Sequence, residues 1–180
     1  MNWKTFLSMY SVKNTLRLFW PMALAMAGIF IIDQGIKDWT VLTAIDKYNI
    51  SPVALKDGFF PLYETACINL DLIFNKGVAF SMFAFLQEWL KWIQLVLISG
   101  VLLYTLSLNN RIYSVPVGIL VGAGFSNVYD RFTHGGVVDY IHWHCGFDFA
   151  IFNFADMMID LAVVWLLWIN WKTSRGDSTQ

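Results

Sequence analysis

The sequence predicts a membrane protein, mainly α-helical, with four transmembrane helices and a small β-containing element outside the lipid. Three observations carry that prediction. Of the 180 residues, 57% are hydrophobic and only 14% charged, far from the balance of a soluble domain. Four stretches approach the roughly 20 apolar helical residues that a hydrocarbon core of about 30 Å requires. Basic residues also collect beside one set of span ends, as orientation in a membrane demands. One domain over residues 1–180 accounts for the length. A formal net charge of −1 and the lack of any Lys/Arg cluster exclude a phosphate-neutralising surface, so no nucleic-acid partner is expected.

The first span is expected from about Leu16 to Ile36. Lys4, Lys13 and Arg17 before an apolar run resemble a cleaved leader, but the run continues to Ile32, longer than a leader's apolar core, so a retained span is expected. A loop of about residues 39–88 follows, too long for a turn. Its stretch Ala66 to Asn75 (ACINLDLIFN) is β-rich and predicts a small β-element at the outer surface. The second span is expected from about Trp89 to Leu108 and the third from about Ser114 to Tyr129, where Gly118, Gly122 and Gly124 would admit a neighbouring helix closely. The fourth is expected from about Phe149 to Trp171. Arg111, Lys172 and Arg175 join Lys4, Lys13 and Arg17 at one set of ends, which places both termini in the cytoplasm.

Polar residues in or beside such spans are costly, at least about 2.5 kcal/mol for a central charge, so each needs a structural or functional reason. Asp33 and Lys37, at i and i+4, are in the favourable order for a helical ion pair. Asn127 and Asp130 share a face at the end of the third span, where either Asp130 pairs with Arg131 at the interface or the amide and carboxylate together brace a pocket. Asn153 and Asp156 repeat the i, i+3 spacing at the start of the fourth span, after a turn containing Asp139. Two carboxylates at one water–lipid boundary form a candidate acid/base pair: if close, one keeps its proton while the other activates water against an amide carbonyl. Asp148 and Asp160 compete for the role, although Asp160 lies a turn deeper, where water is scarcer. Spacing alone leaves a functional carboxylate pair, a structural polar cluster and an ion pathway open.

His142, His144 and Cys145 crowd three possible metal ligands into four residues, short of a four-ligand zinc set, and Trp143 between them suits an interfacial belt. No metal site is expected. Two cysteines, Cys67 and Cys145, are expected as unpaired thiols unless the fold brings them together. No Gly-x-Ser-x-Gly elbow, phosphate-binding glycine loop or HExxH helix is present.

Five segments in order resemble the bacterial lipoprotein signal peptidases (prolipoprotein signal peptidase, signal peptidase II). They are DQGIK from Asp33, NKGVAFS from Asn75, SNVYDR from Ser126, GGVVDYI from Gly135 and FNFAD from Phe152. The resemblance implies four transmembrane helices, an outward-facing β-element and an aspartic endopeptidase of the inner membrane. It places the catalytic pair on Asp139 and Asp156. Asn75, Asn127, Arg131 and Asn153 would shape the pocket and hold substrate, and Asp33, Lys37 and Asp130 are assigned structural polar roles. The implied substrate is a prolipoprotein cut before its diacylglyceryl-modified cysteine, with membrane lipids as the other partner, no cofactor and a monomeric state. The competing readings are a non-enzymatic proton or ion conduit through Asp33, Asp130, Asp156 and Asp160, and a silent relative that only binds lipidated signal peptides. The chain departs from the family pattern at Ser126, where glycine is usual and where the change is expected to be harmless to packing. Lys76 and Met157 also depart, and are expected to alter access to the pocket. Residues 1–15 match nothing in the pattern.

Overall fold

A computed structural model describes residues 12–77 and 87–177. Helix α1 spans Val12–Tyr48, α2 Gln87–Leu108, α3 Ser114–Thr133 and α4 Phe154–Asp177. Each contains a segment apolar and long enough to cross a membrane. Their outward surfaces carry large apolar side chains such as Leu24, Ile31, Val96, Leu103, Val164 and Leu167, as a lipid-facing surface requires. The expected spans therefore fall on real helices, with one substantial difference.

Helix α1 does not stop at Ile36. It runs on to Tyr48, so that its 37 residues extend about 55 Å at 1.5 Å per residue, well beyond a 30 Å hydrocarbon core. The reason is the apolar face carried by Val41, Ala44 and Ile45. These side chains pack with Leu55, Leu62, Leu72, Phe74 and Val138 beneath the sheet. At the end of α1, Lys47 Nζ donates to the carbonyls of Pro61 and Leu62, and Tyr48 Oη donates to Pro61 O.

Helix α3 is the central element, with over half of its apolar window buried against the other three helices. The expected close approach occurs at Gly118 and Gly122, where a Cβ would lie 2.5 Å from the carbonyl oxygens of Met22 and Met26 on α1. Any side chain there would drive the two helices apart. Gly124 faces Ile98 of α2 instead.

The β-element is a three-stranded antiparallel sheet in the order β1 (Phe59–Tyr63), β2 (Ile68–Asn75), β3 (Val137–Trp143). Strand β2 is the β-rich stretch of the long loop. Strand β3 is not a turn, as expected from sequence, but pairs Val137 with Asn75 and Asp139 with Ile73. Pro61, which cannot donate to a ladder, sits in the edge strand β1. Gly135, at φ +77°, turns the chain from α3 into β3. Cys67 and Cys145 form a disulfide, correcting the expectation of free thiols. Pairing of β2 with β3 brings the two cysteines together across 78 residues of sequence, and His144 N donates to Cys67 O beside the bond.

Candidate active site

The site begins at the start of α4, because a helix N-terminus leaves four backbone N–H groups without intrahelical acceptors. Here each is answered. Phe154 N donates to Tyr140 Oη at 3.1 Å, and Ala155 N donates to Asp33 Oδ1 at 2.9 Å. Asp156 N donates to Asn153 Oδ1 at 2.9 Å, and Met157 N donates to Asn153 O at 3.4 Å. Asp156 Oδ2 reaches back to accept from Asn153 N at 3.2 Å. Asn153 and Asp156 are thus the two arms of a capping box, which explains their i, i+3 spacing in local terms. The cap also holds the Asp156 carboxylate at the positive end of the helix.

Asp139 projects from β3 toward the same place. Its Oδ2 accepts from Asn75 Nδ2 at 2.9 Å and its Oδ1 from Asn153 Nδ2 at 2.7 Å. Asn153 Nδ2 also donates to Asn127 Oδ1 at 3.2 Å, and Asn127 Nδ2 donates to Asp156 Oδ1 at 2.9 Å. Three asparagines therefore join the two carboxylates through amides, and every carboxylate oxygen has one donor. Asp139 is buried. That burial, reinforced by the negative charge of Asp156 and opposed by the Asn75 and Asn153 hydrogen bonds, raises its pKa to about 7.

Both carboxylates line a cavity of about 510 Å³, together with Asn75, Asn127 and Arg131. Arg131 does not pair with Asp130. Its Nη2 donates to Gly77 O at 2.7 Å and its Nε to Gln94 Oε1 at 3.0 Å, while its buried Nη1 has no partner among the described residues. Of the alternatives for this face, the Asp130–Arg131 pair is not formed; Asn127 lines the cavity and Asp130 lies outside its lining. Phe149, Ala150, Ile151 and Phe152 supply an apolar wall.

Behind this wall lies a charged cluster. Lys37 Nζ meets Asp33 at 2.6 Å and Asp130 at 2.7 Å, and donates to Asn127 Oδ1 at 2.9 Å. Asp130 Oδ2 also accepts from Val138 N at 3.1 Å, tying α3 to the strand that carries Asp139. Asp33 and Lys37 pair as their spacing predicts, but inside the protein and shared with Asp130.

The remaining expectations divide. Asp160 and Met157 line the cavity, whereas Asp148 is exposed and is not among its lining residues. Lys76 is drawn outward to Asp57, while its neighbours Asn75 and Gly77 line the cavity. The rest of that segment, Val78 to Ser81, lies outside the described residues, as do residues 1–11. His142 Nδ1 pairs with Asp71 at 2.7 Å and His144 Nε2 with Asn69 at 3.0 Å; with Cys145 held in its disulfide, the three do not converge. Ser126 is not a neutral replacement: its buried hydroxyl bonds to Asp33 and Gln34. Sequence reasoning missed Gln34, Ser126 and Gln94. The only signal for any of them was that a polar side chain occurs inside an apolar span.

Comparison with known proteins shows the family and the fold. A family model described as signal peptidase (SPase) II matches residues 25–172. The lipoprotein signal peptidase of Sulfurimonas denitrificans is 55% identical over 160 residues, 89% of this chain and 94% of the relative. That of a Sulfurovum species is 49% identical over 153 residues, 84% of this chain and 93% of the relative. A solved structure of a bacterial membrane enzyme superposes with a TM-score of 0.67 at 20% identity, covering 85% of this chain and 88% of that one. A second does so at 0.63 and 20%, covering 82% and 90%. Four apolar helices, an outer sheet and a match over most of the chain lead to one assignment: this multi-pass membrane protein belongs to the signal peptidase II family.

Proposed function

We propose that the protein is an aspartic endopeptidase that removes signal peptides from prolipoproteins, cutting before the diacylglyceryl-modified cysteine, with Asp139 and Asp156 as its catalytic pair. The observation that carries this reading is the placement of two amide-held carboxylates on one cavity at a common end of the spans. With its pKa raised to about 7, Asp139 is protonated in a substantial fraction of molecules near neutral pH, and it is the acid that donates to the scissile carbonyl oxygen. Asp156 takes a proton from water as the water oxygen bonds to the carbonyl carbon. Collapse of the resulting diol breaks the C–N bond as Asp156 gives its proton to the departing nitrogen and one hydroxyl of the diol returns a proton to Asp139, which leaves a carboxylic acid and the starting state of the pair. Water is the nucleophile, so no covalent enzyme intermediate and no cofactor enter the scheme.

Arg131 Nη1, buried without a partner among the described residues, is suited to donate to a substrate carbonyl oxygen, while Asn75, Asn127 and Asn153 hold the two acids. A lipid-anchored signal peptide brings its scissile bond to the headgroup level, where the site lies beside the outer ends of the helices. We place the chain in the bacterial inner membrane as a monomer, with both termini cytoplasmic and the sheet facing the periplasm, following its basic residues.

The test is cleavage of a purified diacylglyceryl-modified prolipoprotein by the detergent-solubilised protein, beside an unlipidated control. Cleavage of the lipidated substrate alone supports the reading. No cleavage of either, by a folded preparation, removes it.

A further inference from the structure

We infer that Ser126 is a positioning residue for this reaction, acting through Asp33 on the helix turn that presents Asp156; the inference rests on the peptidase reading above. Ser126 is fully buried on α3 and touches neither the cavity nor either proposed catalytic acid. Its role is read from the directions of its hydrogen bonds.

Gln34 Nε2 donates to Asp130 Oδ1 at 2.8 Å. The acceptor there is a carboxylate, so the amide nitrogen must face it, and the orientation of Gln34 is fixed. The same nitrogen donates its second hydrogen to Ser126 Oγ at 2.8 Å. Ser126 is thereby left with its own proton to give, and it gives it to Asp33 Oδ2 at 2.7 Å. The other oxygen of Asp33 accepts from Ala155 N at 2.9 Å, one residue before Asp156. The sequence of donors runs from Gln34 through Ser126 to Asp33, and Asp33 in turn anchors the first turn of α4.

Asp33 Oδ2 also meets Lys37 at 2.6 Å. Without the hydroxyl, the lysine alone sets the rotation of the carboxylate and draws it toward Asp130, which shares that ammonium. Oδ1 then turns off the Ala155 amide, and the start of α4 keeps only the Tyr140 hydroxyl as a backbone anchor from outside the helix among the described residues. The capping box survives, because it is local to Asn153 and Asp156. The predicted defect is therefore a displacement of the Asp156 carboxylate relative to Asp139, which sits on a different element. Displacement of this kind lowers the rate of the chemical step and leaves substrate affinity intact.

The test compares Ser126→Ala, Ser126→Gly and Ser126→Thr with wild type in the prolipoprotein assay, with hydrogen exchange followed on a peptide containing Ala155. Expected are a fall in kcat of about tenfold for the alanine and glycine variants, KM within about twofold, faster exchange at the start of α4, and recovery of most of the rate by threonine, which keeps the hydroxyl. Wild-type kcat in the alanine variant overturns the inference. So does an equal loss in all three variants, or a loss without faster exchange, since either would trace the effect to packing of α3. A folded wild-type preparation that cleaves nothing overturns the peptidase reading and this inference together, whereas an active wild type with an unaffected alanine variant overturns the inference alone.

Discussion

Four aspartates gather at one end of the helix bundle, and they fall into two pairs with opposite surroundings. Asp33 and Asp130 share the Lys37 ammonium at 2.6 and 2.7 Å. Their remaining charge is taken up by Ala155 N, Val138 N, the Ser126 hydroxyl and the Gln34 amide. Asp139 and Asp156 are held by asparagine side chains and one backbone amide, with no cation bonded to either. Burial without a bonded cation raises the proton affinity of a carboxylate, as at Asp139. The first pair ties α1, α3, α4 and β3 together inside the protein, whereas the second opens on a cavity. Residue type does not separate them; the neighbours do.

The largest expected effect tests that division directly. Asp139→Asn or Asp156→Asn should abolish cleavage, by at least about 10³-fold, while thermal unfolding of the purified protein stays near wild type. Full activity in either would dissolve the distinction between the pairs. The converse substitution, Lys37→Met, should leave two buried carboxylates without their cation and destabilise the protein by about 3–5 kcal/mol, read as a lower unfolding temperature. Unchanged stability would mean that the cluster is not held by charge.

Smaller effects sharpen the comparison. The Asp139 pKa is raised to about 7, so the protonated form that donates to the carbonyl is lost as pH rises through about 7, and cleavage should decline there. Asn75 favours the ionised form by donating to Asp139 Oδ2. Asn75→Ala should therefore move the alkaline limb to higher pH, while lowering the rate about tenfold by loosening the acid. A limb that moves to lower pH would reverse the assigned sign. Smallest of all, Asp160→Asn should change the rate by no more than about twofold, because this exposed carboxylate on the cavity wall takes no part in the amide network.

Much of this was legible in the sequence. The four helices announce themselves because lipid imposes a length and a composition on anything that spans it. The Asn153–Asp156 spacing was legible too, although as a shared face; it proved to be a cap. Strand β3 was not, because its partner β2 lies two helices earlier in the chain and no local pattern records a pairing across that distance. The same holds for Ser126 with Asp33, Arg131 with Gln94, and Cys67 with Cys145. Each is a contact between elements that only the packed bundle brings together. Glycines at 118 and 122 hinted at a close approach, but not that α1 would be the helix approached.

The disulfide has a consequence for how the protein is made. Cys67 precedes α2 and Cys145 follows α3, so the bond closes only after both intervening helices have been made and the two cysteines lie on one side of the bundle. A chain halted between those two helices would keep both thiols. Mobility on a non-reducing gel after alkylation would thus date the moment at which threading of the bundle is complete, and would do so without any assay of cleavage.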